Sequence, residues 1–433
     1  MTILGLAEST VAPLIRALYP DDAELDRDAI AERFARAAWS GIAEPGDKDA
    51  GHLVAVLGAE ASIAALTAVP WPASGGVEGI DVTPLETTLA AGGDEELSRD
   101  DLVDAVARWR SRVSAPTVLL ALRQAARFGA GLLVPGDPDW PLGVDDLGES
   151  APHALWVRGD RELLGRLQRS IAIVGARAAT GYGEHVTVEV SSGLVDRGFT
   201  IVSGAAYGID GIAHRAALAS SGSTVAFLAG GVDRFYPAGH EALLTRIVER
   251  GAVVSEVPPG TAPTKWRFLQ RNRLIAAASR ATVVVEAGWR SGSLNTASHA
   301  ADLGRPVGAV PGPVTSAASA GCHKLLRETP AICVTDADEM AELVALDAVS
   351  TAQKSTSSRA ISPAIDPTGT RVRLLDALSD RSGRSVTRIS ELSGLAPDRV
   401  RAELGLLELE GIVRELPGGW QKFTVKQLEA RAR

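Results

Sequence analysis

The chain has only two cysteines, Cys322 and Cys333, so neither a disulfide framework nor a four-ligand zinc centre can be assembled from them. It also lacks a long apolar run. No stretch approaches the ~20 uncharged apolar residues of a membrane span, and the opening MTILGLAEST has no basic region ahead of an apolar one. These absences lead us to expect a cytoplasmic protein without a membrane span. A surplus of basic charge is missing too: the formal net charge of -9 argues against a protein that coats nucleic acid with its whole surface.

What is present is an ordinary globular composition, 45% apolar and 22% charged, in 433 residues. At roughly 150 residues per domain that length suggests two or three units. Charge is unevenly spread. Residues 1 to 150 hold 11 basic and 25 acidic side chains, residues 151 to 370 hold 21 and 19, and residues 371 to 433 hold 12 and 9. The front reads as helical, with apolar spacing at Ile30, Phe34, Ala37 and Ala38 and again at Leu53, Val56 and Leu57. Residues 70 to 96, punctuated by P-W-P, S-G-G and G-G-D, read as an exposed insertion.

From Ser170 the texture changes. SIAIVG, TIVSG, STVAFLAG, AVVSEV, ATVVVEAG and PVGAVPG are short runs apolar on both faces, separated by helical stretches. Strands of a parallel sheet covered by helices on each side have this character, so the region is expected to be a doubly wound α/β domain. Glycines close most of these runs, at the strand ends where such sheets bind ligands. Residues 347 to 370, rich in Ser, Thr, Ala and Pro, read as a flexible linker, and the remainder follows the order helix, helix, helix, hairpin of a winged helix-turn-helix. The expected division is a helical domain at 1–130, the α/β domain at 131–345, a linker at 346–369 and the winged helix at 370–433.

Four segments carry candidate chemistry. Gly175-Ala176-Arg177 follows the strand IAIV and precedes Thr180, Gly181 and Gly183, so its backbone N–H groups are placed for a phosphate at a helix start, with a plain tight turn an equal alternative. The strict G-x-G-x-x-G order is not met, and Arg177 suits a phosphate backbone better than a nicotinamide cofactor. Ser203-Gly204-Ala205-Ala206-Tyr207-Gly208-Ile209-Asp210 is a second such turn, where Ser203 and the glycines offer hydroxyl and amide donors and Asp210 caps the following helix. His214, four residues on, reads as a helix-start hydrogen bond more readily than as an acid–base partner. Between Glu256 and Glu286 lie five basic residues and no acidic one, with Trp266 and Phe268 interleaved among Lys265, Arg267, Arg271, Asn272 and Arg273. That pattern fits base stacking beside phosphate contacts rather than a merely solvated basic face. Ser291-Gly292-Ser293, beside Arg290, is a further anion-binding turn and not a G-x-S-x-G nucleophile elbow.

IVGAR, SGxAxGID followed by His, GGVDRFYP, SExPPG, FLQRNRLIAAAS, VVVEAxxxSGSLNTA, AVPG and GCHKLL resemble, in order and spacing, the DNA-processing family (the DprA/Smf type) over residues 150 to 340. The front and tail resemble accessory domains that some members carry. The resemblance implies an α/β, extended Rossmann-like doubly wound sheet flanked by an N-terminal helical domain and a C-terminal winged helix. It also implies a homodimer and single-stranded DNA as ligand, which the protein protects and delivers to the RecA recombinase during transformation. Neither catalysis nor a cofactor or metal is implied. The positions carried over are Arg177, Ser203 to Gly208, Lys265 and Phe268; with the residues read above, the expected DNA contacts are Gly175, Arg177, Ser203, Gly204, Tyr207, Gly208, Lys265, Phe268, Arg271, Asn272, Arg273, Ser291, Gly292 and Ser293. Tyr207 stands where many relatives carry a basic residue, and Asn295 where an aliphatic one is commoner. AEPGDKDAG at the front resembles a degenerate helix-hairpin-helix.

Two other functions compete. A nucleotide-processing enzyme related to nucleoside-monophosphate phosphoribohydrolases would share the sheet-edge glycine loops, but its PGGxGTxxE signature is missing and no general acid or nucleophile stands out. A winged-helix regulator would read duplex DNA through Arg399 and Arg401, yet Glu403, Glu408 and Glu410 share that helix, which favours contact with protein.

Overall fold

The computed structural model describes residues 2–20, 24–70, 80–92, 97–350, 369–424 and 427. The expected linker lies almost wholly outside them, as do 71–79 and 93–96 of the expected insertion. The chain divides into two compact units, one gathering Met1–Leu120, Thr264–Trp266 and Ala364–Arg433, the other Ala121–Pro263 and Arg267–Pro363.

In the second unit a nine-stranded sheet forms from β1 (Gly131–Leu133), β2 (Leu155–Gly159), β3 (Ser170–Val174), β4 (Thr200–Ser203), β5 (Thr224–Leu228), β6 (Ala252–Ser255), β7 (Ala281–Val284), β8 (Val307–Ala309) and β9 (Ile332–Cys333). Their spatial order is β9-β8-β7-β3-β4-β5-β6-β2-β1. The six runs singled out by their apolar character are β3 to β8 and pair in parallel; β2 joins β6 antiparallel, and β1 joins β2 antiparallel.

Alternate strand residues feed two cores. Ala172, Val174, Val202 and Phe227 pack with Leu274 to Ala278, Ala297 and Leu325 on one face. Ile171, Ile173, Ile201 and Val283 pack with Val190, Leu194, Ala213 and Met340 on the other. This is the doubly wound α/β arrangement expected from strands apolar on both sides. Strand order reverses at β3, since the chain runs outward through β4, β5 and β6 and then returns to β7 on the other side of β3, so the switch point lies at the carboxyl ends of β3 and β7, where a crevice opens in such sheets.

In the first unit the front is helical as expected. Ile30, Phe34, Ala37 and Ala38 are buried on the helix Arg27–Ile42, and Trp39 meets Trp109 edge-on with ring centroids 5.2 Å apart. The stretch read as an insertion contains a helix, Thr83–Ala91, whose Leu85 and Leu89 are buried; two apolar side chains four apart are enough to seat a short helix that its Pro and Gly flanks disguise. The tail forms helices Thr370–Ala377, Val386–Ser393 and Pro397–Leu409 followed by the hairpin Val413–Leu416 and Gly419–Lys422, which is the winged helix.

Candidate nucleic-acid interface

The glycine loops after β3 and β4 do not keep their amides free. After β3, Glu286, itself 2% exposed, accepts hydrogen bonds from Thr180 N (2.9 Å) and Thr180 Oγ1 (2.6 Å) at the start of the helix Gly181–Asp196. A carboxylate there is favoured by the helix dipole, so the protein supplies its own anion at the switch point. Gly183 is required because any side chain would collide with that carboxylate. Gly175 is half-buried just before Ala176, whose N–H donates to the Glu286 carbonyl (2.7 Å). These contacts occupy the loop donors of Ala176 and Thr180 on which the expectation of a phosphate at the first loop partly rested. The Ala176 and Thr180 N–H groups and the Thr180 hydroxyl are taken by Glu286, a residue more than a hundred positions away, while Arg177, Ala178, Gly181 and Tyr182 remain exposed.

The second loop closes in the same manner. Ser203 is fully buried and its hydroxyl donates to the Ile173 carbonyl (2.6 Å), so it has no proton left for a ligand. Gly204 N and Ala206 N donate to Asp210 Oδ2 at 3.2 and 3.4 Å. Asp210 lies inside the helix Ile209–Ala219, whose N-cap is Gly208 at φ +76°, a conformation that suits glycine. Burial pushes the Asp210 carboxyl up in pKa, while the nearby Arg271 guanidinium and the loop amides oppose the shift. His214 is no acid–base partner for it. Its Nδ1 meets Thr224 Oγ1 at 2.7 Å, and burial holds its pKa down at about 3.

The Arg-Asn-Arg triplet, on the helix Lys265–Ala278, is buried rather than facing a ligand. Arg271 donates to the carbonyls of Gly204 (2.7 Å) and Phe227 (2.5 Å), and burial lowers its pKa to about 10. Asn272 Nδ2 donates to the Gly292 carbonyl (3.3 Å) and to Asn295 Oδ1 (3.2 Å). Arg273 forms a two-pronged pair with Glu256 at 2.9 and 2.6 Å. Three consecutive residues thus each hold a different loop, those after β4, β7 and β6. Expected as DNA contacts, Arg271, Asn272 and Arg273 are positioning residues instead, because a desolvated guanidinium needs fixed acceptors and these loops provide them.

What faces outward is smaller. Arg177 is exposed, and its guanidinium carbon lies 5.3 Å from the centroid of the half-buried Phe268 ring. Tyr207 is 49% exposed, its ring edge-on to His240 at 4.8 Å. Lys265, at the start of its helix, is exposed and belongs to the first unit, where its N–H donates to Asp376 Oδ2 (2.6 Å). At the third turn Ser291 Oγ and Ser293 Oγ share a hydrogen bond (2.8 Å), and Gly292, the exposed N-cap of the helix Ser293–Asp302, lends no side chain to it. The first N–H groups of that helix are taken, Ser293 N by Ser291 Oγ (3.4 Å), Leu294 N by the Ser291 carbonyl (3.2 Å) and Asn295 N by the Gly292 carbonyl (3.2 Å), so what the turn presents outward is the exposed Gly292 backbone. Asp210, read as a cap for the following helix, accepts from the loop amides of Gly204 and Ala206, whereas Glu286 and Glu256 had no role assigned from the sequence because nothing in a linear pattern marks which distant donor a carboxylate meets.

The winged helix has its own commitments. Arg401 pairs with Asp398 and Arg399 with Glu403 (3.4 Å), both on one helix. Within the same unit Arg112 Nε donates to the Glu391 carbonyl (3.0 Å), and Arg373 donates to the carbonyls of Ser393 (2.8 Å) and Gly394 (2.5 Å), so the turn of the helix-turn-helix is tied down from two sides. Among the described residues no single helix is long and apolar enough to cross a membrane.

Two stretches match known families: residues 131–345 match DNA recombination-mediator protein A, and residues 358–419 match the DprA winged helix domain. A putative DNA processing protein DprA of Mycobacterium tuberculosis is 45% identical over 320 residues, covering 68% of this chain and 77% of that one. Protein Smf of Escherichia coli is 35% identical, covering 63% and 72%. A solved structure of DNA processing protein A from Helicobacter pylori, described for its single-stranded DNA binding mode, is 29% identical with a TM-score of 0.46, covering 51% and 97%. The loops braced by the Arg-Asn-Arg triplet all lie inside the first matched stretch, and with 45% identity over 320 residues to a relative of which 77% is covered, the chain belongs to the DprA/Smf family of DNA processing proteins.

Proposed function

We propose that this protein binds single-stranded DNA at the sheet edge formed by the loops after β3, β4 and β7, protects it, and passes it to the RecA recombinase during transformation, working as a cytoplasmic homodimer. The observation that carries the reading is the Arg177–Phe268 pair: an exposed guanidinium with no carboxylate partner among the described residues, 5.3 Å from a half-buried ring. A cation for a phosphate beside a ring for a base is what sequence-tolerant single-strand binding requires. Tyr207 and the turn at Ser291, Gly292 and Ser293 complete the proposed contacts within the second unit, and Lys265, an exposed cation of the first unit, is taken as a DNA contact by itself. Gly175, Ser203, Gly204, Gly208, Arg271, Asn272 and Arg273 shape the loops that present them. Residues 131–345 are taken as the DNA-binding domain.

The commitment of Glu286, Asp210 and Glu256 to internal hydrogen bonds supports binding over hydrolysis, because a general acid needs a free proton and a path to substrate. The pairing of Arg399 and Arg401 within their own helix likewise speaks for a protein-contact role of the winged helix.

Retardation of a labelled single strand and of the matching duplex across a salt series tests the proposal. The expected result is preference for the single strand with little dependence on sequence, since rings and phosphate cations do not read base edges. Equal affinity for duplex overturns it. Light scattering with and without a long strand, and strand exchange by RecA in the presence of the protein, test the dimer and the hand-over.

A further inference from the structure

Outside the loops described above, aromatic rings and guanidinium groups alternate along the second unit. Tyr236, 50% exposed, lies 5.5 Å from Phe268, centroid to centroid. Its chain neighbour Phe235 is half-buried and has the Arg158 guanidinium carbon 5.0 Å from its centroid. Arg158 lies in turn 5.9 Å from the ring of Phe128, which is 38% exposed, and the exposed Arg127 lies 5.8 Å from that same ring. Ring and guanidinium contacts thus run from Arg177 and Phe268 to Tyr236, and from Phe235 through Arg158 to Phe128 and Arg127 at the end of the helix Ala115–Arg127, the two groups meeting where Phe235 and Tyr236 adjoin in the chain.

Arg158 shows that these contacts are built rather than incidental. Its NH1 donates to the Val232 carbonyl (3.1 Å), its Nε is buried without a hydrogen-bond partner, and it forms no ion pair among the described residues. The nearest countercharge, Asp233, accepts from Gly260 N at 2.8 Å. Asp233 thus acts on Arg158 through its charge without forming an ion pair with it, and the guanidinium held between two rings leaves the outer ring exposed for stacking.

We propose that a single strand of nucleic acid leaving the Arg177–Phe268 site continues over Tyr236 to Phe128 and Arg127, so that these residues form an outer segment of the binding track. The inference rests on the single-strand reading above. Ring faces accept any base, the guanidiniums meet the backbone, and among the described residues no carboxylate forms an ion pair with Arg127 or Arg158. Occupant and direction follow from continuity, since the series starts at the ring already assigned to a base.

The test compares the full-length protein with Phe128→Ala and Arg127→Ala on thymidine oligomers of about 5 and about 12 nucleotides, lengths within the range of single-site footprints. In the unmodified protein the longer oligomer should bind more tightly. In Phe128→Ala that gain from length should shrink by about 5- to 100-fold, the loss of one stacked base. In Arg127→Ala the gain should shrink less, and the salt dependence for the longer oligomer alone should become shallower. If melting shows Phe128→Ala to be unstable, Phe128→Leu keeps an apolar side chain against Arg158 without the ring and should lose the gain equally. A length gain that survives both Phe128 variants overturns the outer track and leaves the inner site standing. Failure of the unmodified protein to retain either oligomer overturns the single-strand reading and the track with it.

Discussion

Two sets of basic residues share the stretch between Glu256 and Glu286 and its surroundings, and they have opposite fates. Arg271 and Arg273 are buried, at 6% and 3% exposure, with their hydrogen bonds spent on the carbonyls of Gly204 and Phe227 and on Glu256. Arg177, brought from another loop, is exposed, lies against the Phe268 ring and forms no ion pair among the described residues. A guanidinium closed against a carboxylate contributes little field to the surface, so the number of basic residues in a segment overstates what a phosphate would meet. The buried set organises loops; the exposed set is left for binding.

The largest effect that would break this comparison is expected at Arg273. Arg273→Ala leaves the buried Glu256 carboxylate without its partner and should cost about 3 to 5 kcal/mol of stability, read by thermal or urea unfolding. The folded fraction should bind single strands with an unchanged salt dependence. A stable Arg273→Ala protein with a shallower salt dependence would move Arg273 into the exposed set.

Next in size is a dependence on acid. His214 lies in the same interior and titrates at about 3, held down first by burial and then by the nearby His240 and Arg271 charges. Unfolded, it would take up a proton below its ordinary value of 6.5, whereas the folded protein refuses one until about pH 3. Its contribution is therefore fully present above pH 6.5 and is lost as pH falls from there toward 3, with about 2 kcal/mol gone by pH 5. His299, lowered to about 4 by burial and by Arg273, acts in the same direction. Melting temperatures measured from pH 7.5 to 5 should fall, and His214→Gln should flatten that fall whatever its absolute stability. A flat profile in the unmodified protein would mean that the interior tolerates an added charge.

The sheet was legible because β3 to β8 are apolar on both faces, which only a covered parallel sheet explains, and the winged helix because its three helices and hairpin are short and well punctuated. Two features stayed hidden. The helix Thr83–Ala91 lies amid Pro and Gly signals that suggest a loop, and two buried leucines override them. Loop polar groups were read as free because their partners are remote in sequence: Glu286 accepts from Thr180 across 106 residues, and Arg271 donates to the Gly204 carbonyl across 67. Spacing reveals donors at a helix start; which carboxylate folds back onto them is settled by tertiary packing.

A smaller effect sharpens the comparison at Phe268. The ring is half-buried and touched by Tyr236 as well as by Arg177 and Arg271, so both packing and stacking depend on it. Phe268→Ala should reduce single-strand affinity by about 1 to 3 kcal/mol with little change in salt dependence. Its cost in stability should stay below the roughly 3 to 5 kcal/mol of a fully buried phenylalanine. Destabilisation of that larger size, with normal binding by the folded fraction, would assign Phe268 to the core.

The smallest effect is the most specific. Arg177→Ala removes one exposed cation, so the slope of log affinity against log salt should become shallower by about 0.7, one phosphate contact on a single strand. Stability should hardly change, because Arg177 forms no ion pair among the described residues and its only ring contact is with Phe268. Arg177→Lys separates charge from shape. It keeps the cation, and hence the slope, but replaces a planar group that lies against the Phe268 ring by a compact ammonium. Affinity measured at high salt, where the counterion contribution is suppressed, should then fall for Arg177→Lys almost as far as for Arg177→Ala if the guanidinium helps align the ring for a base. If the lysine variant instead matches the unmodified protein at every salt concentration, Arg177 serves as charge alone and the ring must be positioned by its neighbours Tyr236 and Arg271.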